Sequence, residues 1–180
     1  MSDYSRIESL LLDLHERTPV GFALAFHINY TASDFIFQTY PSGWRKVYSE
    51  SGMVLQDPIV AWCFANTGWI RWSDLAANDP AGVLSRAKDY GMNYGVAFAC
   101  EGGGTRSVSG YAHASREFTD EEIAAYATDT TRLHEWTARN NLSDPADRER
   151  LRQLSVRFTH SDQATQDPSP DAGLKKPDKK

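Results

Sequence analysis

The amino-acid sequence predicts an α+β fold, an α/β/α sandwich in which helices flank both faces of a central antiparallel sheet. Three observations predict it. GFALAFHINY followed by Phe35–Phe37 reads as one hairpin, and Tyr94–Ala99 followed by Ser107–Ala112 reads as a second. Amphipathic stretches with helix-start signals precede, separate and follow the two hairpins. The resulting order of helix, hairpin, helices, hairpin and long helix suggests an antiparallel sheet with helices on its faces.

The elements follow in order. In residues 3–17, Ile7, Leu10, Leu11 and Leu14 recur at i, i+3, i+4 and i+7, the spacing of one helix face, and Pro19–Gly21 ends the helix. Phe22, Leu24, Phe26 and Ile28 alternate with smaller or polar residues, the period of a half-buried strand. The same alternation places His27 on the solvated side. Ser33–Asp34 reads as the turn into the second strand. SGWRKVYSES reads as a short helix closed by Gly52. Asp57-Pro58 and Asp79-Pro80 both carry a helix start, with Asp as cap and Pro in the first turn. The first opens IVAWCFAN and the second a helix through Tyr90, stopped by Gly91. EGGGTR is a flexible turn between the later strands. Thr119 and Glu122 form a capping box ahead of a long helix over about residues 120–140, whose apolar side holds Ile123, Tyr126, Ala127, Leu133 and Trp136.

Composition divides the 180 residues unevenly. The net charge is −5, but residues 143–180 carry +1 and residues 1–142 carry −6. Of the 21 Phe, Trp and Tyr residues, only Phe158 lies beyond Trp136. The expected organisation is therefore a folded domain over 1–142 and a charged, mostly disordered tail over 143–180, rich in Pro, Asp, Ser and Lys near its end. An acidic domain is a poor nucleic-acid binder by itself, because phosphate contacts need a basic surface. No run reaches the ~18 apolar residues of a membrane helix. The N-terminus lacks a secretory pattern, and two cysteines do not make a disulfide framework, so a cytoplasmic protein is expected.

Signatures of catalysis are missing. There is no GxSxG, HExxH or GxxxxGK[ST], and the five histidines show no metal-ligand spacing. Cys63 sits in an apolar run and Cys100 at a strand end, where free cysteines act as small hydrophobes. An enzyme is not expected, nor a metal or cofactor. The feature that stands out is an aromatic cluster from Tyr40 to Trp72. Trp44 and Tyr48, four apart, share a helix face, and Asp57 follows within a few residues. Such spacing suits a core stripe. It also gathers an indole N–H, two phenol hydroxyls and a carboxylate, which is how a small, largely apolar ligand is held.

This cluster resembles the autoinducer-binding domain of LuxR-type quorum-sensing regulators, with the pattern W-x3-Y-x8-D-P and a second Trp fourteen residues beyond the Pro. Trp44, Tyr48, Asp57, Pro58 and Trp72 stand at those spacings. Tyr40 stands where many members carry a ligand-contacting Tyr, and Gly95 matches the glycine that opens the later strand. The likeness covers about residues 5–140. It implies an N-acyl-homoserine lactone as ligand and no cofactor. By the resemblance, the Trp44 indole would donate to the lactone carbonyl and Asp57 would accept from the amide N–H. Tyr40 would donate to the amide carbonyl, and Tyr48 and Trp72 would pack against the ligand. A return-strand hydroxyl, Ser107 or Ser109 with Ser109 favoured, would assist. Asp57 can cap its helix and bind at the same time.

Full-length members continue into a helix-turn-helix. Arg152–Arg157 faintly resembles the start of that module, after which the sequence diverges, so direct DNA reading by this chain is not expected. The resemblance implies a dimer through the 120–140 helix, with a second copy or with a full-length LuxR-type regulator. Signal sequestration or heterodimerisation would then modulate transcription indirectly. Two alternatives stay open: the same fold sensing another small acyl or aromatic molecule, and a protein-interaction module without a ligand.

Overall fold

The computed structural model describes residues 3–30 and 32–160. Its centre is one antiparallel sheet of five strands: β1 (Gly21–Asn29), β2 (Ala32–Gln38), β3 (Gly68–Arg71), β4 (Tyr94–Gly102) and β5 (Thr105–His113). The spatial order is β2-β1-β5-β4-β3. Seven α-helices cover it: α1 (Asp3–Arg17), α2 (Ser42–Glu50), α3 (Pro58–Ala65), α4 (Trp72–Leu75), α5 (Val83–Lys88), α6 (Asp120–Thr137) and α7 (Pro145–His160). The expected α/β/α sandwich is the observed one.

The two faces of the sheet differ in bulk. Phe22, Leu24 and Phe26 of β1 point to one side with Phe35 and Phe37 of β2, Val96 of β4 and Tyr111 of β5. They pack against the apolar stripes of α1, α6 and α7 in one continuous core. Ring pairs such as Tyr111 stacked on Tyr126, with centroids 4.3 Å apart, tighten this layer. The alternate positions carry small residues: Ala23 on β1, Ala97 and Ala99 on β4, and Ala112 on β5. Strand periodicity puts these on the opposite face, under α2, α3, α4 and α5. Side chains this short leave space above the sheet.

The capping box forms as expected. The Thr119 hydroxyl accepts from the Glu122 amide, and the Glu122 carboxylate accepts from the Thr119 amide at 2.7 Å. Arg116 beside Glu122 holds that carboxyl down at about 2. Two other expectations need correction. α5 begins at Val83 rather than beside Pro80, because Gly82 turns left-handed first, and the Asp79 carboxylate caps the Val83 and Leu84 amides at 2.8 and 2.9 Å. Ser33 and Asp34 lie inside β2, not in a turn. The short edge strand β3 went unforeseen, its four residues too few to show a period.

The expected disorder from residue 143 does not hold over 145–160. There α7 buries Leu151, Leu154 and Phe158 against α1 and β2. The Asp144 carboxylate caps its start by accepting from the Ala146 amide at 2.8 Å. Its charges are satisfied locally: Arg148 pairs with Asp34 at 2.8 Å, and Arg150 lies over the Tyr4 ring at 3.9 Å. Three apolar residues within many charges are enough for one buried stripe. The remainder of the expected tail, 161–180, lies outside the described residues.

His27 is buried rather than solvated. A bulge between Ala25 and Ile28 inserts an extra residue, so His27 turns to the same side as Phe26, with a left-handed φ of 55°. Such a backbone costs about 1–3 kcal/mol in a non-glycine residue. Its compensation is a set of bonds. The His27 ring nitrogens lie 2.8 Å from the Thr105 hydroxyl and 2.9 Å from the Thr137 hydroxyl. The Thr137 hydroxyl donates to the Leu133 carbonyl at 2.6 Å, so it accepts from His27 Nε2. Burial and the neighbouring His134 ring, 4.8 Å away, push the His27 pKa down to about 4.

Candidate functional site

Above the small-residue face lies a cavity of about 520 Å3. It exists because the sheet beneath is low and the helices above are held off it. Two glycines define how closely the roof descends. A Cβ on Gly95 would stand 2.2 Å from the Trp72 ring, and one on Gly110 would stand 2.7 Å from the Tyr40 hydroxyl. Only glycine permits these aromatic side chains to rest on the strands.

Local sequence places each wall residue. Tyr40 leaves β2 and sets its ring edge-on to Trp72, with centroids 6.4 Å apart. Trp44 and Tyr48, one turn apart on α2, meet at 5.5 Å, and Trp44 also meets Tyr90 at 5.7 Å. Trp72 stands where β3 passes into α4, so the unforeseen strand positions an expected site residue. Val83, Leu84 and Ala87 of α5, with Met92, close the apolar wall behind Trp44. The sequence reading missed this wall, although Val83, Leu84 and Ala87 share a helical face.

Asp57 is the buried carboxylate of the site. Its Oδ1 accepts from the Ile59 amide at 2.8 Å, the N-cap bond of α3, and its Oδ2 accepts from the Tyr48 hydroxyl at 2.7 Å. Capping and cavity lining are therefore performed together. Burial pushes the Asp57 carboxyl above the usual carboxylate range, and the Tyr48 and Ile59 bonds pull in the opposite direction. Burial and then the Asp57 charge raise the hydroxyls of Tyr40 and Tyr48, so both are protonated donors. Tyr48 thus does more than pack: it orients the carboxylate. Each Asp57 oxygen retains a lone pair for a further donor. Among the described residues, no protein hydrogen bond engages the Trp44 indole nitrogen, and the buried Trp72 indole N–H has no partner.

Tyr40, Trp44, Tyr48, Asp57 and Trp72 all line this one cavity. Ser109 needs correction. Although it borders the cavity, its hydroxyl points through the other face of β5 to Thr130 of α6, 3.2 Å away. Ser107 turns the same way, to His134 at 2.7 Å. Two residues apart, both belong to the bulky face, and Val108 and Gly110 face the cavity instead. Cys63 also lines the cavity, but burial, then the Asp57 charge, pushes its thiol up to about 12, so it is a neutral wall group. Among the described residues, no three His, Cys, Asp or Glu side chains converge for a metal ion, and no helix is long and apolar enough to cross a membrane.

The arrangement is that of a ligand receptor: an apolar chamber with a carboxylate acceptor and aromatic donors on one wall. The autoinducer-binding domain family model matches residues 22–134, and the chain belongs to that family. Over 62 residues it is 39% identical to the transcriptional activator protein SolR of Ralstonia nicotianae, a match covering 34% of this chain and 26% of SolR. The matched segment thus spans about a quarter of that relative. Among solved structures it resembles CepR2 of Burkholderia cenocepacia, an N-acylhomoserine lactone dependent LuxR family transcription factor. That match has a TM-score of 0.53 at 16% identity and covers 79% of this chain and 98% of CepR2. It also resembles Escherichia coli SdiA, with a TM-score of 0.58 at 16% identity over 81% of this chain and 64% of SdiA. A structure of SdiA in complex with octanoyl-rac-glycerol matches at a TM-score of 0.56 and 18% identity, covering 79% and 60%. At these identities the structural likenesses speak to the fold.

Proposed function

We propose that this protein is a quorum-sensing signal receptor that binds an N-acyl-homoserine lactone in the cavity above the sheet. The observation that carries the reading is the buried Asp57 carboxylate, held by Tyr48 and Ile59 beside an apolar chamber. A buried carboxylate needs donors, and a secondary amide N–H supplies one. Trp44 offers its indole N–H to a lactone carbonyl and Tyr40 its hydroxyl to the amide carbonyl. The small-residue floor takes the acyl chain. The dependence of CepR2 on such lactones supports the choice of ligand. A net charge of −5 argues for action on transcription through a partner, either a second copy or a LuxR-type regulator, rather than by holding DNA.

The test is thermal unfolding with a panel of N-acyl-homoserine lactones. A ligand at 100 times its Kd stabilises by about 2.7 kcal/mol, a rise of several degrees in Tm. Asp57→Asn and Trp44→Phe should cut the rise by about half or more. Absence of any shift across the panel would contradict the reading.

A second reading has one specific support. The donors and acceptor recognise a carbonyl and an N–H or O–H rather than a lactone ring as such, and SdiA is known in complex with octanoyl-rac-glycerol. An acyl chain on another polar head therefore fits the same wall. Mass spectrometry of ligand extracted from protein made in its native host separates the two readings.

A further inference from the structure

The cavity is not equally closed along its length. At the polar end, Tyr40, Trp44, Asp57 and Trp72 are all buried, and Trp72 and Tyr40 press on Gly95 and Gly110. Strand register fixes what lies further along the floor. Ala23 pairs with Gln38 and with Gly110 in one row, and Ala25 pairs with Ile36 and with Val108 in the next. Ile28 and Ser33 make the row after that. Moving away from Tyr40, the floor therefore runs Gly110, then Val108, then Ile28. Three apolar lining residues are open to solvent, Ile36 at 44%, Val54 at 49% and Phe64 at 49%; register puts Ile36 in the Ala25–Val108 row, and the Arg106 guanidinium on the Cys63 carbonyl puts the residue before Phe64 beside the Ile28 row. An apolar lining residue that is half exposed marks where a chamber meets water.

We infer that the ligand chamber is open at its tail end, between Ile36, Val54 and Phe64, and that Val108 is the residue that governs passage of the chain toward it. The ligand class is then a long-chain acyl compound whose terminal carbons reach this rim. The inference rests on the acyl-ligand reading and deepens it. Val108 rises above its cross-strand partners Ala25 and Ala99 and its same-face neighbour Gly110, and it stands ahead of Ile28 in the next row. A chain following the floor must pass over it. Chain carbons lying against Ile36, Val54 and Phe64 would cover surface that otherwise faces water, so the rim gains from a longer ligand instead of excluding it.

The test is a titration with saturated N-acyl-homoserine lactones from about four to about fourteen carbons, beside a matching series of 1-acyl-glycerols. Affinity should rise about fourfold per methylene while the chain is inside, then level off without a fall once it reaches the rim. Val108→Phe should weaken the longer ligands by tenfold or more and leave the shortest nearly unchanged. Val108→Ala, which cannot overpack, should leave the long-chain plateau intact and ease entry of branched chains. Ile36→Ser with Phe64→Ser should lower only the longest members. A tenfold or greater drop beyond some chain length, or a Val108→Phe effect equal at every length, would overturn the inference. Binding of the glycerol series alone, with the same rise and plateau, sustains the open tail and overturns the lactone head. Binding of neither series overturns both.

Discussion

On one face of the sheet β1 presents Phe22, Leu24 and Phe26; on the other it presents Ala23 and Ala25. The same strand thus serves a packed core under α1, α6 and α7, and a ligand chamber under α2, α3, α4 and α5. The first face is filled with interlocked rings, and its buried polar groups are bonded across the sheet–helix boundary, His27 to Thr137, Ser107 to His134 and Ser109 to Thr130. The second face has vacant volume and, in Asp57, Trp44 and Trp72, polar atoms with bonding capacity to spare. Stability is concentrated on the bulky face and recognition on the small one. A fold that kept both faces equally filled would be more stable and would have nowhere to hold a ligand.

That division can be broken from either side. The largest effect should come from Phe22→Ala, which empties the packed face. It should cost about 3–5 kcal/mol of stability, measured by urea unfolding, and any ligand-induced gain should survive. Asp57→Asn acts on the other face. Ligand affinity should fall about 10- to 150-fold, the equivalent of about 1.5–3 kcal/mol for a hydrogen bond to a charged group. Ligand-free stability should hold or rise, because a buried charge is removed. Ala25→Leu sharpens the contrast by filling the chamber floor. It should raise ligand-free stability by about 0.5–2 kcal/mol and abolish the ligand-dependent rise in Tm, so the two measurements move in opposite directions.

The smallest effect concerns pH. The folded pKa of His27 lies below its ordinary 6.5, at about 4, through burial and then the His134 ring; burial lowers His134 as well. The unfolded chain therefore binds protons first, and stability that is full above pH 6.5 is lost as pH falls from 6.5 toward 4. Asp57 acts with the opposite sign. Its folded pKa is raised, so its burial is relieved on acidification. Urea unfolding at pH 7 and pH 4.5 should show a net loss at the lower pH. The loss should shrink in His27→Asn, since Asn tolerates the left-handed backbone at that position.

Much of this was legible in the sequence. The alternation GFALAF already separates the large residues from the small ones, and the spacing of Trp44, Tyr48, Asp57 and Trp72 identified the roof of the chamber. What escaped had physical causes. His27 was misplaced because a bulge breaks the period of two, and nothing in its neighbours announces the extra residue. Ser109 was misassigned because the floor of the chamber is marked by what is missing, Gly110 and the alanines, rather than by a polar group. α7 was overlooked because Leu151, Leu154 and Phe158 are thinly spread among arginines whose stems pack and whose charges are paired. β3 is too short to carry a pattern, yet it delivers Trp72.

The most direct measurement follows the indole N–H resonances of the five tryptophans during titration with an N-acyl-homoserine lactone. The account predicts that the Trp44 signal moves downfield in a saturable way as it donates to the ligand carbonyl, with the exposed Trp69 unmoved. Saturable movement confined to Trp69, or no movement of any indole signal, would contradict it.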